Sequence, residues 1–530
     1  MSDERQNKTI FWGCFIALIT TAFAFITRAF LVNDPALWPA EFGLDKVQAG
    51  VLFGAGIWPF AISIILFSLV IDKIGYRIAM LFSFVCYAAY AAMALKAYGI
   101  VHPGGAALTG DALLAAQKQA YDCLYYGSII LGLGNGTVEA FANPLVATIF
   151  SREKTKWLNM LHAGWPGGLV LGGLLTLLLG KQVAADWRVL VYLIALPAVV
   201  YVLILVRAKF PVNERVAAGT SYREMLAELG VLGAALASYL VVAQLGQIFN
   251  WNTNMVLGIV AVVVIAYGAY CRSFGRPLLF LLCLVMMPLA TTELGTDGAI
   301  TGIMEEPLRA ANHNPLWVLI YTSAIMCFLR FRAGAIAHRI SPLGLLCCCS
   351  LLAILGLLAL AHASGLVLIF AAATLYACGK TFFWPTTLAV VAEQYPKGGA
   401  LTLNAIAGIG MLTVGIIGGP LIGALQEKSA HTAVAAQKPA LVEQISAPGH
   451  YILGDYTAAD EAKIATLPEK DKAEVEGIVK HAKQGALGTV AIFPGIMLLS
   501  FLAMILYFRS RGGYKPVLID APKQPLTEAR

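Results

Sequence analysis

The stretch Leu124–Phe150, LYYGSIILGLGNGTVEAFANPLVATIF, is apolar enough to cross a bilayer, yet it carries Asn135, Glu139 and Asn143. A spacing of four places the three polar side chains on one helix face, because four residues advance about 400° when a turn takes ~3.6 residues. A carboxylate facing lipid costs roughly 2.5 kcal/mol or more. The stripe therefore predicts a helix whose polar face looks into protein or a water-filled cavity, and with it a transport path.

Composition agrees. The chain has 530 residues, of which 59% are hydrophobic and 13% charged, with mean hydropathy +0.76, which excludes an ordinary water-soluble domain. The net charge of +7 does not point to nucleic acid, because the basic residues fall in short loops at alternating span ends and report topology. The run Phe11–Leu31 is too long for a signal-peptide core and has no small-residue cleavage site after it, so it is expected to stay as the first anchor. The ten cysteines, including the triplet Cys347, Cys348 and Cys349, fall in or beside spans except Cys123, near the start of its helix; they read as packing residues and not as a disulfide framework.

About 20 apolar residues cross a hydrocarbon core, and by that measure the chain predicts fourteen spans. Six run Phe11–Leu31, Val51–Ile71, Ile78–Leu95, Leu124–Phe150, Leu161–Leu179 and Val189–Val206. Two follow, Val231–Phe249 and Met255–Tyr270, and then six at Pro277–Gly295, Leu316–Leu329, Leu343–Leu360, Leu366–Val391, Leu401–Leu425 and Leu487–Tyr507. The expected fold class is an all-α polytopic membrane protein, two six-helix bundles with an inserted helix pair. Its parts are an N-terminal bundle (1–206), a linker with an amphipathic helix at Ser221–Leu229 (207–230), the inserted pair (231–276), a C-terminal bundle (277–515) with an external loop (426–485), and a tail (516–530).

Loop cations at Lys73, Arg77, Arg152, Lys154, Lys156, Arg215, Arg276, Arg330, Arg339 and Arg509 share one side, so both termini are expected to be cytoplasmic, in an inner or plasma membrane. The 426–485 loop is then external and reads as short surface helices broken at Pro448 and Pro468. LNMLHAGWPGGLVLGG (Leu158–Gly173) and LNAIAGIGMLTVGIIGG (Leu403–Gly419) are similar to each other. Such internal similarity suits a transporter built from parallel repeats, with its binding site between them.

SLVIDKIGYR (Ser68–Arg77) resembles the cytoplasmic loop signature of the major facilitator superfamily, Gly-x-x-x-Asp-Arg/Lys-x-Gly-Arg-Arg/Lys. Asp72, Lys73, Gly75 and Arg77 match it, while Ser68 and Tyr76 depart. GAIAHRISP (Gly334–Pro342) is similar to a decayed second copy that keeps Gly334 and Arg339, with His338 at the acid position. GNGTVEAFANPLVATIF, WLNMLHAGWPGG and TTELGTDGAITGIM further resemble the fucose, galactose and glucose proton-symporter branch. That resemblance implies that Glu139 and Asn143 line the cavity and that Glu139 takes part in proton coupling. Where the branch has an acid on its first helix, this chain has Arg28.

The residues add further candidates. Glu139 reads either as a transport carboxylate or as a structural partner of Arg28. Tyr376, Lys380 and Trp384 form a second i, i+4, i+8 stripe, with an ammonium between aromatic faces suited to sugar C–H groups, or a lysine in a structural pair. Glu293 and Asp297 stand one turn apart near Gly295 and Gly298, with Asp297 readable as an interface residue. His162 and Trp165 precede a Gly-rich turn that either kinks toward the cavity or packs closely, and Trp58 before Pro59 is cavity wall or kink aromatic. Asp72, Lys73, Gly75, Arg77, Gly334 and Arg339 read as a cytoplasmic gate, Asp72 pairing with a helix N-terminus across the interface.

The function expected from these readings is secondary active transport by alternating access, as proton-coupled symport of a sugar or related polar solute by a monomer in the lipid bilayer. The rivals are an exporter or uniporter of nucleosides, organic anions or drugs, and a nontransporting nutrient sensor. No metal cluster, nucleophile–base motif or phosphate loop is legible, so neither an enzyme nor a cofactor is expected.

Overall fold

The computed structural model describes residues 3–297, 300, 308–309, 312–314, 316–451 and 454–519; Gly298 and the side chain of His338 lie outside these. Among the described residues, twelve helices are long and apolar enough to cross a membrane, from Glu4–Asn33 to Glu469–Arg509, and the chain is an integral membrane protein. Two further helices carry parts of the argument below: Gly110–Ile149, forty residues long, and the shorter Leu316–Phe331. The first begins well before the expected Leu124 because ALLAAQKQAYDC continues with good helix formers.

Prolines decide where spans break. The second span is not continuous: Lys46–Gly54 and Trp58–Ile74 are separate helices, and the third residue of the gap stands just before the Trp58–Pro59 start. Lys154–His162 and Gly164–Leu178 are likewise joined through a kink at Ala163, ahead of Pro166. Leu366–Lys380 ends before Phe383–Gln394 begins, with Pro385 in its first turn. In each case a proline cannot donate to the carbonyl four residues earlier and its ring clashes with it. This corrects the expected Tyr376–Lys380–Trp384 stripe, since Trp384 belongs to a different helix. Glu293 lies in a π-helical turn, Thr291–Gly295, and not in a regular α-turn.

Small residues set the spacing between helices. A Cβ on Gly136 would come within 2.2 Å of the Phe60 carbonyl, and one on Gly132 within 2.8 Å of the Gly56 carbonyl, so these glycines let the Glu139 helix lie against Trp58–Ile74. Gly168 and Gly172 pack against Ile19 and Ile26 in the same way, which places this Gly-rich stretch among the close-packing faces.

Residues 419–490, which take in parts of the long helical stretches Pro396–Gln437 and Glu469–Arg509, build a second, smaller core. Helices Gly419–Gln437, Pro439–Ile445, Glu461–Ala465 and Glu469–Val490 surround a core of Ala430, Val434, Ile445, Ala459, Ile464, Val475 and Val479. An antiparallel hairpin, Ser446–Tyr451 with Gly454–Ala459, completes it. Pro448 is therefore in a strand opposite Thr457 and does not break a helix, a correction to the all-helical expectation. A two-stranded sheet has only edges, where proline's missing N–H is tolerated. Pro468 does mark a helix start, as the N-cap of Glu469–Val490.

Ser221 and Glu224 form a capping box that opens Tyr222–Phe249, which runs on through a kink at Gly230, φ +65°. The expected surface helix at Ser221–Leu229 is the first part of this longer element. Its companion, Thr253–Cys271, is mostly exposed on the outside of the bundle.

Candidate substrate cavity

Near the middle of the molecule a cavity of about 30 Å³ is lined by Phe60, Ile64, Glu139, His162 and Trp165 from the N-terminal half, and Glu293, Leu294, Arg330, Trp384 and Met411 from the C-terminal half. That is space for on the order of two waters, so the two halves pack closely at this point.

A directed hydrogen-bond chain crosses the N-terminal wall. The Asn143 amide donates to Glu139 Oε2 at 2.7 Å, which leaves its Oδ1 to accept from His162 Nε2 at 3.0 Å. That assignment fixes the imidazole proton on Nε2. Asn135, on the same helix face, accepts from the Tyr87 hydroxyl at 2.9 Å inside the N-terminal bundle and does not line the cavity.

Arg330 forms the opposite wall. Its Nη2 donates to Glu293 Oε1, its Nη1 to the His162 carbonyl and its Nε to the Thr381 carbonyl, each at 2.7 Å. Both carbonyls stand four residues before a proline, Pro166 and Pro385, and so have no helical N–H to accept from. A third instance lies nearby: Pro144 leaves the Ala140 carbonyl open, and Asn404 donates to it from the other half at 3.0 Å. Asn159 reciprocates by donating to Thr386 Oγ1 at 3.1 Å. Asn159 and Asn404 are the same position of the two repeated LN segments, so the repeat places equivalent ties across the seam.

The expected partnerships come out differently. Arg28 is buried but not paired with Glu139: its Nη1 donates to the Leu52 and Phe53 carbonyls at 3.0 and 2.9 Å, capping the helix that ends at Gly54, and its guanidinium lies over the Phe53 ring. Favourable placement of a cation at a helix C-terminus accounts for it. Its Nε and the Tyr90 hydroxyl remain without hydrogen bonds among the described residues. Lys380 is bonded to Asp297, not to Glu293 or Glu139, while Tyr376 bonds Thr296 and the Thr292 carbonyl. Glu293 Oε2 accepts from the Trp384 amide at 2.9 Å, so Trp384 reaches the cavity by its own helix start. Trp58 is half-buried and stands outside the cavity lining.

At the end of the molecule that carries both termini the halves are bolted together. Lys154 bonds Glu214 at 2.7 Å and the Ala392 carbonyl at 3.0 Å. Glu393 accepts from the Thr155 amide and hydroxyl at 3.1 and 2.6 Å, and from the Tyr514 hydroxyl at 2.6 Å. Burial beside Glu393 pushes the Tyr514 phenol well above its ordinary value, which keeps it a donor. Asp72 pairs with Arg215 at 2.5 Å and not with a helix N-terminus, the correction here being that a linker cation reaches it first. Lys73 lies over the Tyr222 ring, Arg77 donates to the Ala208 carbonyl at 3.0 Å, and Gly75 turns the chain at φ +81°. Gly334 packs against Lys156, where a Cβ would meet its Cγ at 2.8 Å, and Arg339 is exposed.

Arg330, Glu393, Asn159 and Asn404 are the members sequence reasoning missed. Arg330 reads as a loop cation because it ends an apolar run; the signal for it is indirect, two Trp-Pro pairs whose freed carbonyls require a buried donor.

A model of the Major Facilitator Superfamily matches residues 10–302. No curated protein matches the chain. Among solved structures, the E. coli proton:xylose symporter XylE is 12% identical with a TM-score of 0.60, covering 95% of this chain and 96% of its own. The E. coli fucose:proton symporter FucP is 16% identical, TM-score 0.51, covering 91% and 98%. The human organic anion transporter TETRAN is 14% identical, TM-score 0.55, covering 94% and 100%. At these identities the likeness is one of fold.

Proposed function

The chain belongs to the major facilitator superfamily, and from that premise we propose that it is a secondary active transporter that moves a small polar solute by alternating access, in symport with protons. It is a transporter and not an enzyme; substrate and coupling are the proposal. The observation that carries it is the central cavity, walled by both halves and holding Glu139 on a hydrogen-bond chain to His162. Moving the halves apart would wet Glu139 and change its affinity for a proton, the physical requirement of coupling.

The charge inventory favours a neutral, sugar-like solute. Arg330 is matched by Glu293 and Lys380 by Asp297, while buried Arg28 is held by the Leu52 and Phe53 carbonyls, so each of these three cations already has a partner. Trp165 and Trp384 supply flat apolar faces of the kind that sugar C–H groups pack against. A second reading, transport of organic anions, rests on Arg330 itself, whose ion pair an incoming carboxylate could replace.

In this proposal Gly110–Ile149 and Leu316–Phe331 also span, which makes fourteen spans: bundles at 1–206 and 277–515 with an inserted pair at 231–276. The termini and the bolted end are cytoplasmic, and the protein works as a monomer.

The test is counterflow in proteoliposomes of monosaccharides, sugar acids and nucleosides, with and without an inward proton gradient, on candidates first chosen by thermal shift at two pH values. Gradient-driven accumulation of a neutral sugar is expected. Flux of sugar acids alone would support the anion reading, and ligand binding without flux would make the protein a sensor.

A further inference from the structure

A cleft of about 650 Å³ lies apart from the central cavity, at the end that carries the termini. Its walls are Glu228, Arg276, Pro277, Leu278 and Leu281 on one side and Gln394, Tyr395, Pro396, Lys397, Tyr507 and Val517 on the other. Arg276 immediately precedes the helix that starts at Pro277, and Tyr507 sits in the last turn of the helix that ends at Arg509. The cleft is thus at the level where spans leave the bilayer.

Its chemistry is amphipathic. Arg276 spends Nε and Nη2 on Glu228, at 3.0 and 2.8 Å, and keeps Nη1 for another acceptor. Lys397 is exposed and makes no hydrogen bond among the described residues. Glu228 cancels one of these two cations, so the lining carries a net positive charge. Arg511 stands over the Tyr507 ring, 4.6 Å from its centre, and adds another cation at the rim. Below the charges, half-buried Leu278 and Leu281 and exposed Leu284 continue down one helix face toward the hydrocarbon.

A cationic mouth over an apolar wall, open at the bilayer surface, has the shape and charge to hold a phosphate whose substituent is an acyl chain. We propose that this cleft is a binding site for an anionic phospholipid, its phosphate between Arg276 and Lys397 and its chains along Leu278, Leu281 and Leu284. The C-terminal segment closes one side: Val517 donates its N–H to the Glu393 carbonyl at 2.8 Å, and Gln394 donates to the Lys515 carbonyl at 2.9 Å. A lipid seated there braces the same Glu393 that ties the two halves.

The experiment uses the full chain in neutral detergent with phosphatidylglycerol or phosphatidylcholine added as mixed micelles, and reads the melting temperature together with lipid retained in native mass spectra. Phosphatidylglycerol should raise the melting temperature more than phosphatidylcholine and should survive purification. Lys397→Gln and Arg511→Gln, both on the surface, should each weaken retention about fivefold, the effect of one interfacial cation. Leu281→Trp, which fills the cleft, should abolish it by a route independent of charge. Equal retention of the two lipids, or unchanged phosphatidylglycerol retention in all three variants, overturns the proposal. Stabilisation by inorganic phosphate or glycerol phosphate as large as that by phosphatidylglycerol overturns the lipid as occupant and assigns the cleft to a soluble phosphate.

Discussion

Arg330 donates to the carbonyl of His162 across the seam between the halves, at 2.7 Å, and that carbonyl is open only because Pro166 has no N–H to give it. The same guanidinium holds Glu293 and the carbonyl freed by Pro385. The proposed alternating access requires at least the His162 contact to break, which makes Arg330 the residue to test for control of closure. Arg330→Gln strands a buried Glu293 and is expected to destabilise by roughly 3–5 kcal/mol. Adding Glu293→Gln should recover much of that loss in thermal unfolding, while transport stays impaired. Arg330→Lys keeps the charge but presents a compact ammonium to three divergent acceptors, and it is expected to fail in uptake assays. Wild-type stability of Arg330→Gln would remove this residue from the seam.

Glu139→Gln keeps size and hydrogen bonding but cannot release a proton. It is expected to abolish pH-driven accumulation and to leave counterflow measurable, since Asn143 can still donate to the amide oxygen. His162→Gln should weaken the pH response without abolishing it, because the chain to Glu139 passes through Asn143. Undiminished gradient-driven uptake by Glu139→Gln sinks the coupling assignment.

What the chain discloses before folding depends on the range of the interaction. The spans, the Glu139–Asn143 pair and the loop around Asp72 rest on local periodicity and short motifs, and the folded chain keeps Glu139 and Asn143 hydrogen-bonded on one helix. Pairings between distant residues were not legible. Arg28 was a natural candidate for Glu139 by charge alone, but a helix end at Gly54 offers it carbonyls at closer range. Lys380 pairs with Asp297, while Glu293 is taken by Arg330 and the Trp384 amide and Glu139 by Asn143, pairings that no local pattern announces. The hairpin around Pro448 escaped because SAPGHY and GDYTAA contain little of the β-branched, alternating composition that marks a strand.

The fourteen-span arrangement predicts opposite sides for the outer unit and the bolted end. In a cysteine-free background, Lys470→Cys should react with an impermeant maleimide added to whole cells, whereas Arg152→Cys should react only after permeabilisation. Both positions are exposed. Labelling of both from outside contradicts the topology.

Asp72 pairs with Arg215 outside the cavity lining, so its influence on transport is expected to be conformational. Asp72→Asn should change the transport rate and raise maleimide access to a cysteine placed at Thr155, leaving the order of substrate preference intact. Arg215→Gln should do the same, because either change breaks one pair. An altered preference order refutes the gate assignment.

Lys380 and Asp297 give the sharpest test of substrate class. The ammonium is buried while its carboxylate is partly exposed, so the pair is asymmetric: removing Asp297 leaves a buried cation, and removing Lys380 leaves an acid that water can still reach. Asp297→Asn is therefore expected to cost more stability than Lys380→Gln, and the double variant should be milder than the sum of the two. If the pair is structural, sugar transport in the double variant should return toward wild type. If Lys380 instead receives an anionic substrate, Lys380→Gln loses acidic solutes selectively and Asp297→Asn, by freeing the cation, improves their binding. A double-mutant cycle scored on both melting temperature and affinity separates these outcomes. Additive stability losses would exclude the structural pair, and tighter binding of sugar acids by Asp297→Asn would move the substrate assignment from neutral sugars to anions.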